Sequence, residues 1–582
     1  MKLDKLTEIF VKLEATDSRN EMTEIIANFL KSLTEAGELR IIINLLQGQH
    51  DLDKLGVGES MILDSLVSIS GYTKLQLRQG VIQFGDAGSV AHEVLSKRLQ
   101  YPLFKLKNEP EIADFYDKIR HLSEIDSHKA KIKWLSSIFN NISPLSAKFA
   151  VRIILGILRL GVSTQTLLDS LAVGVAGDKK HKKDIENAYN VMETIGDVAV
   201  KLKDEGIDEI AITDASYNTP IRPMLASRLK FDEIMPKMGE RCYAEHKLDG
   251  ERAQIHITSV VDGAIHYDGP DGGFKEEKRK TFVQIFSRQL TDITEQYPDI
   301  VSYVKNNVTA TEAILDGEIV AYKGGKMLPF QVLMKRKRKH DIKEMVKEVP
   351  AKLYLFDIIK LGDKTQFSTP YMLRRDILGG LFADDDKEIE LVKNREILSK
   401  GQLYGFFQEA RELGYEGIVI KGAESLYNAG KRGADWVKLK GLEGSKMLDT
   451  LDVVIIGGYH GRGKRAKMAG AFLCGVQENG SYVAFTKIGS GFTDKEIGEI
   501  SALTEPLMLK KQPSIIHSFE EAEVWIEPKI VIEIMCDEIT RVIHQGIHVY
   551  SVRFPVFKSI RTDKGPGDVT SLEEIREMYK KQ

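Results

Sequence analysis

Glu245-His246-Lys247-Leu248-Asp249-Gly250-Glu251-Arg252 is the stretch on which the reading of this 582-residue chain turns. It sets one amine among carboxylates, an arginine and a glycine, directly after a short apolar approach. A lysine amine becomes a nucleophile once it loses its proton, and burial or clustered cations lower its pKa toward that state. The spacing K-x-D-G decides nothing alone, since chance supplies it in roughly one chain of this length in ten. The plain alternative is a surface turn with a solvated lysine. Whether the rest of the chain builds a nucleotide pocket around Lys247 separates the two.

Four further motifs lie downstream, each with charged residues at strand ends among apolar β formers. They are Phe286-Ser287-Arg288, Ile314-Leu315-Asp316-Gly317-Glu318-Ile319-Val320, Tyr415-Glu416-Gly417-Ile418-Val419-Ile420-Lys421 and Trp436-Val437-Lys438-Leu439-Lys440. In the last, the alternation puts Lys438 and Lys440 on one face of a strand. Two lysines aimed together from a strand are economically explained by an anion between them. Glu318 and Glu416 offer the hard oxygen ligands that Mg²⁺ takes beside substrate phosphates. Singly, each motif reads as a solvated strand edge; their order behind Lys247 favours function.

The length calls for about three or four domains. Hydrophobic content of 42% and charged content of 29% are those of a soluble globular protein. A net charge of −3 excludes a uniformly basic coat, so any polyanion must be met by local patches. Cys242, Cys474 and Cys536 are too few and too scattered for a four-cysteine zinc module or a disulfide framework. The start, Met1-Lys2-Leu3-Asp4, lacks a signal-peptide core, and no stretch has the length and apolarity of a membrane span. The expected location is the cytoplasm.

The first 200 or so residues read as helices. Ile25, Ile26, Phe29, Leu30 and Leu33 form a helical stripe behind a capping box, Ser18 with Glu21. Phe149 to Gly161 reads as one helix stopped by Gly161, with Arg152 and Arg159 on one face, either solvated or tracking a phosphate backbone. At Asn218-Thr219-Pro220-Ile221-Arg222-Pro223 the texture changes to a connector, then to short β-rich runs: Ala253–Ile257, Ala313–Tyr322, Leu353–Ile359 and Gly417–Lys421. A helix over Leu403–Leu413 lies between them, making a mixed α+β domain that ends near Lys440. From about Leu451, the segments Val453–Ile456, Tyr482–Phe485 and Ile530–Ile534 with glycine-rich turns suggest a small β-barrel.

The series K-L-D-G-E-R, S-R, L-D-G-E-I-V, L-F-D, E-G-I-V-I-K and W-V-K-L-K resembles the covalent nucleotidyltransferases. More narrowly, it is similar to ATP-dependent DNA ligases of the archaeal and eukaryotic replicative type, over nearly the whole chain, including Arg561-Thr562-Asp563-Lys564 near the end. The resemblance implies a helical DNA-binding domain over 1–215, an adenylation domain over 216–440 and an OB-fold barrel over 441–582. It implies ATP as cofactor with Mg²⁺, Mn²⁺ being an alternate, nicked duplex DNA as partner of a monomer, and work in replication, repair and recombination. Lys247 would carry AMP as a phosphoramidate, pass it to the 5′-phosphate at a nick, and the 3′-hydroxyl would then displace it. Glu245 would accept from the adenine amine and Phe356 would stack on the ring, although a core phenylalanine is its plain alternative. Arg252 and Arg288 would hold ribose and phosphate oxygens, with Arg432 nearby. Lys421, Lys438 and Lys440 would face the α-phosphate, Glu318 (also at the nucleotide) and Glu416 would place the metal, and Arg561 and Lys564 would reach the ATP from the barrel.

Gly458-Tyr459-His460-Gly461-Arg462-Gly463-Lys464-Arg465 nearly matches a phosphate-binding loop, but Arg465 replaces the required hydroxyl; a barrel loop touching DNA backbone is expected instead. Lys335-Arg336-Lys337-Arg338-Lys339 reads as a DNA-facing or solvated run. Gln100-Tyr101-Pro102-Leu103-Phe104 lies where related ligases carry a clamp-binding segment, with Gln100, Leu103 and Phe104 as its anchors and a buried loop as the alternative. Residues 260–280 form an insertion read as an exposed loop or extended hairpin. The rival readings are an RNA ligase, a capping guanylyltransferase and a non-catalytic DNA-encircling scaffold; the helical region and the R-x-D-K terminus oppose the first two, and the intact charge constellation opposes the third.

Overall fold

The computed structural model describes residues 1–48, 55–98, 109–229, 231–239, 241–261, 279–337, 342–382, 388–440, 450–461, 469–536, 538–544 and 546–581. Gln100, Leu103 and Phe104, most of the insertion (262–278), Arg338 and Lys339 of the basic run, and residues 462–465 of the glycine-rich loop lie outside them. The chain divides into two compact units, Lys180–Gly444, and Met1–Lys179 with Ser445–Gln582. Among the described residues no helix is long and apolar enough to cross a membrane.

The N-terminal stretch is helical from Leu3–Glu14 to Thr164–Gly174. Helix Arg19–Lys31 opens on Ser18, whose hydroxyl accepts from the Glu21 amide, and buries Met22, Ile26, Ala27, Phe29 and Leu30. Only half of the expected capping box forms, because the Glu21 carboxylate takes the Thr16 hydroxyl at 2.5 Å. The helix expected over Phe149–Gly161 needs correction: it spans Pro144–Ile154. Gly156, at φ 68°, ends it. The Gly156 amide bonds Ile153 O at 2.9 Å and the Ile157 amide bonds Arg152 O at 2.8 Å, the paired closure that favours a left-handed glycine. Arg159 therefore shares no helical face with Arg152. Arg152 is itself buried, with its fork on Asp86 (3.2 and 2.8 Å) and a third bond to Glu14 at 2.8 Å, so it serves the core rather than a phosphate track.

Two sheets organise Lys180–Gly444. One runs Leu225–Arg228, Arg432–Lys440, Gly417–Gly422, Cys242–Lys247, Asn394–Ile397; only the first pair is parallel. The other has Arg279–Ser287, Glu251–Val261, Ala313–Lys323, Ala351–Leu361 and Lys364–Thr365 in order, with short strands Lys326–Met327 and Ile389–Leu391 added. Cys242, Ala244, Ile418, Ile420, Val437 and Leu439 form the apolar face of the first sheet and pack with Leu403, Phe406, Phe407 and Ala410 of helix Lys400–Glu412. In the second, Ala253, Ile255, Ile257 and Leu315 meet Ile300 and Val304 of helix Pro298–Asn307. Both are period-two faces closed by an amphipathic helix.

The basic run at 335–339 also departs from expectation where it is described. Arg336 is buried, with its fork on Asp299 at 2.8 and 2.6 Å and its Nε–H on Val349 O at 2.8 Å. A guanidinium placed this deep is stable only when paired, and Asp299 supplies the pair. Lys335 is exposed and meets Glu348. The C-terminal stretch is β-rich: strand Leu451–His460 pairs with Ala469–Glu478 and, along its length, with Val524–Ile526 and Val531–Met535.

Candidate active site

The register of the first sheet explains why the motifs belong together. Lys247 pairs with Gly417, Glu245 with Val419 and Tyr243 with Lys421; across the next strand, Gly417 pairs with Lys440, Val419 with Lys438 and Lys421 with Trp436. Successive side chains alternate faces, so Glu245, Lys247, Lys421, Lys438 and Lys440 all share the face opposite the apolar core. Gly417, at φ 149°, is opposite the nucleophile candidate; a Cβ there would stand 2.1 Å from Leu439 O, so no larger residue fits.

Glu416 lies between two amines, ion-paired to both Lys247 and Lys440, and its amide donates to Lys247 O at 3.1 Å. Lys438 forms no ion pair among the described residues. Burial, then Arg432, Arg228, Lys247 and Arg288, lower its pKa to about 8. Those four cations and Lys438 thus gather at one place, which suits a polyanion. Arg288 sits exposed in the turn after Arg279–Ser287, and Arg432 opens its strand with one nitrogen 3.4 Å from Ala226 O.

The second sheet adds the other carboxylate. Glu318 pairs in register with Arg252 on the adjacent strand. Burial raises its pKa to about 7 against the opposing pull of Lys247 and Arg252, and the Gly250 amide donates to it. The Arg252 fork is engaged by Asp316 (3.0 and 2.6 Å), with a further bond to Met224 O at 2.7 Å. Tyr427 closes the group, its hydroxyl 2.8 Å from Asp316. Asp316 stood in the quoted motif without a role; its place beside Arg252 explains why that motif carries two carboxylates.

Glu245 and Lys421 also meet each other. Glu245 is 3% exposed; it accepts from Lys421 Nζ at 2.7 Å and the Tyr371 hydroxyl at 2.5 Å. Lys421, 1% exposed, is ringed by Trp436 (4.3 Å), Phe356 (4.8 Å) and Tyr371 (4.8 Å), and burial lowers its pKa. Phe356 is half-buried at a break in register: Asp316 pairs with Asp357 and Gly317 with Leu355, leaving Phe356 as the extra residue of a bulge. Bulges re-aim side chains, which is how a strand phenylalanine comes to sit beside Arg252 and Lys421. Tyr371 was not singled out in the sequence, where nothing but its proximity in space distinguishes it.

In the C-terminal stretch, Arg561 bonds Asp563 through two nitrogens (2.9 and 2.8 Å) and Asp452 at 2.9 Å, while Lys564 reaches Asp452 at 2.5 Å. The R-x-D-K run is therefore a local cluster anchored on the strand Leu451–His460.

Among the described residues no three His, Cys, Asp or Glu side chains gather as a ready-made metal cage. Glu318 and Glu416, both acting on Lys247, offer the carboxylate oxygens that a hard divalent ion takes, its shell completed by phosphate oxygens and water.

Comparison with known proteins agrees with this architecture. Residues 2–172 match the family described as DNA ligase N terminus, 265–440 the ATP dependent DNA ligase domain, and 465–564 the ATP dependent DNA ligase C terminal region. The DNA ligase of Pyrobaculum arsenaticum is 36% identical over 100% of this chain and 99% of its own length. DNA ligase 2 of Korarchaeum cryptofilum is 35% identical over 99% and 97%, and the DNA ligase of Saccharolobus solfataricus 33% over 100% and 98%. The solved structure named Pmar-Lig_PreS3 shares the fold at a TM-score of 0.59 and 19% identity, covering 96% of this chain and 99% of that one. Helical N-terminal region, central two-sheet domain, β-rich C-terminal region and full-length kinship agree: the chain belongs to the ATP-dependent DNA ligase family.

Proposed function

We propose that this chain seals nicks in duplex DNA by three phosphoryl transfers in which Lys247 is the covalent carrier of AMP. The observation that carries the reading is the shared face on which Lys247, Glu416, Lys440 and Lys438 converge, beside half-buried Glu318. In the first transfer, Lys247 Nζ attacks the α-phosphorus of ATP, loses its proton, and the bond to pyrophosphate breaks. In the second, a 5′-phosphate oxygen at the nick displaces the lysine; in the third, the 3′-hydroxyl displaces AMP and the phosphodiester forms. Each step is a substitution at phosphorus, so positioning and charge neutralisation supply most of the rate. Lys438 and Lys440, with Arg432 and Arg288, are the groups proposed to neutralise the phosphates; Glu318 and Glu416 would hold Mg²⁺, which when bound neutralises phosphate oxygens. Glu245 and Phe356 would receive the base. Arg252 supports this site through Asp316, and Arg561 and Lys564 would act from the C-terminal domain. The helical region would grip the duplex through its phosphates, reading shape rather than sequence, and nick sealing would serve replication, repair and recombination.

Incubation with α-labelled ATP and Mg²⁺, then denaturation, tests the first transfer: covalent, acid-labile label is expected, and none in Lys247→Ala. Addition of nicked duplex should chase the label and join the strands. Labelling by GTP in place of ATP would replace this reading with capping chemistry.

A further inference from the structure

We propose that the first turn of helix Tyr371–Gly379 is a base-selecting device. Tyr371, backed by Arg375 and Lys421, holds the Glu245 carboxylate as a fixed acceptor that selects purine nucleoside triphosphates bearing an amine at C6. This rests on the proposed function, in which Glu245 meets the base.

A carboxylate as buried as Glu245 needs its charge compensated, and the groups compensating it are all donors. The Tyr371 hydroxyl stands 2.5 Å from Oε1, Lys421 Nζ 2.7 Å from Oε2, and Arg375 Nη1 3.6 Å from Oε1. Burial and the neighbouring Glu245 hold the Tyr371 phenol well above its ordinary pKa, so it stays a donor. With one donor on each oxygen the carboxylate cannot turn, and its remaining lone pairs are acceptors only. An exocyclic amine at C6 donates to such a group. A C6 carbonyl, as in guanine, would set acceptor against acceptor, and a site built to pair one group strongly rejects the analogue lacking it.

The helix is seated firmly enough for this role. Its first amides, Tyr371 and Met372, bond Ser425 O at 2.9 Å and Ala423 O at 3.2 Å. Arg374, fully buried, places its fork on Asp357 at 2.7 and 3.0 Å. Arg375 donates to Leu355 O at 3.4 Å and to Val392 O. Asp357 adjoins Phe356, so one helical turn fixes both the acceptor and the ring proposed to stack on the base. Tyr371 and Arg375 are positioning residues: they act through Glu245.

The test compares self-adenylation of the full chain by ATP and by purine riboside triphosphate, which has hydrogen at C6, in unmodified protein and in Tyr371→Phe. The unmodified chain should favour ATP in kcat/KM by roughly tenfold or more, the worth of a hydrogen bond to a charged group. Tyr371→Phe should shrink that ratio severalfold, chiefly through KM for ATP, and Arg375→Gln should shrink it less. Both nucleotides are read on one preparation, so the folded fraction cancels from the ratio. An unchanged ratio with both nucleotides equally impaired overturns the proposal, because Tyr371 would then be merely structural. Equal use of the two by the unmodified chain also overturns it, while leaving Lys247 as the carrier; absence of label from either nucleotide removes the proposed function itself.

Discussion

Gly250→Ala tests whether the close approach inside the octapeptide holds the site together. A Cβ on residue 250 would stand 2.3 Å from Ile319 O, 2.8 Å from Glu318 Cγ and 2.9 Å from Val320 Cγ1. Ordinary contact begins at 3.4 Å, so the Ala313–Lys323 strand would have to retreat from residue 250 by about 1 Å. The nearest obstacle is a backbone oxygen, which no rotamer change can clear. The retreating strand carries Glu318, whose carboxylate the Gly250 amide holds and which pairs in register with Arg252. Overpacking of this kind costs about 1–3 kcal/mol of stability. A displacement of about 1 Å at reacting groups slows chemistry by roughly 100-fold. Single-turnover formation of the lysyl–AMP adduct at saturating ATP reads the second effect, and thermal melting followed by circular dichroism reads the first. A rate within about twofold of the unmodified chain, with melting lowered or not, would refute the coupling between Gly250 and the reacting groups.

Three further outcomes follow from ionisable side chains that the fold wholly or partly covers. Lys438, lowered to about 8, is cationic below that pH, so the affinity of the unmodified chain for α,β-methylene ATP should weaken as pH rises through about 8; calorimetric titration should show that loss abolished in Lys438→Arg. His246, stacked between Phe406 and Tyr415 and lowered by burial to about 4, stays neutral in the fold while the unfolded chain takes up a proton below about 6.5. The unfolded state then binds more protons, so stability of the Lys180–Gly444 unit should fall from pH 6.5 toward 4, and His246→Phe should flatten that slope in urea unfolding. Arg152→Met strips buried Asp86 of its partner and should lower the stability of the helical region by about 3–5 kcal/mol, leaving labelling of Lys247 in place; an unaltered unfolding midpoint would contradict the structural role given to Arg152.

What the sequence made legible were features with a period. Alternation put Lys438 and Lys440 on one face, and the same alternation, carried across two neighbouring strands by the observed register, adds Lys247, Glu245 and Lys421. Cross-strand partners have no such signal. Nothing in E-G-I-V-I-K says that its lysine lies against Glu245 beneath three aromatic rings instead of beside Lys440. Helix ends failed for a related reason: Gly156 and Gly161 both have positive φ, and only the paired amide bonds at Gly156 identify the true stop. Arg336 looked like part of an outward-facing charge run because its partner Asp299 lies 37 positions away. Charge reveals a residue type, whereas burial depends on what the fold brings to it.

Everything proposed for this chain turns on the amine of Lys247 carrying AMP. Peptide mapping by mass spectrometry after incubation with ATP and Mg²⁺ tests it most directly. One added AMP is expected on the peptide containing Lys247, on its side-chain nitrogen, lost on addition of pyrophosphate or nicked duplex. AMP found on Lys438, Lys440 or any other residue, or no adduct in a preparation that still joins nicks, would contradict it.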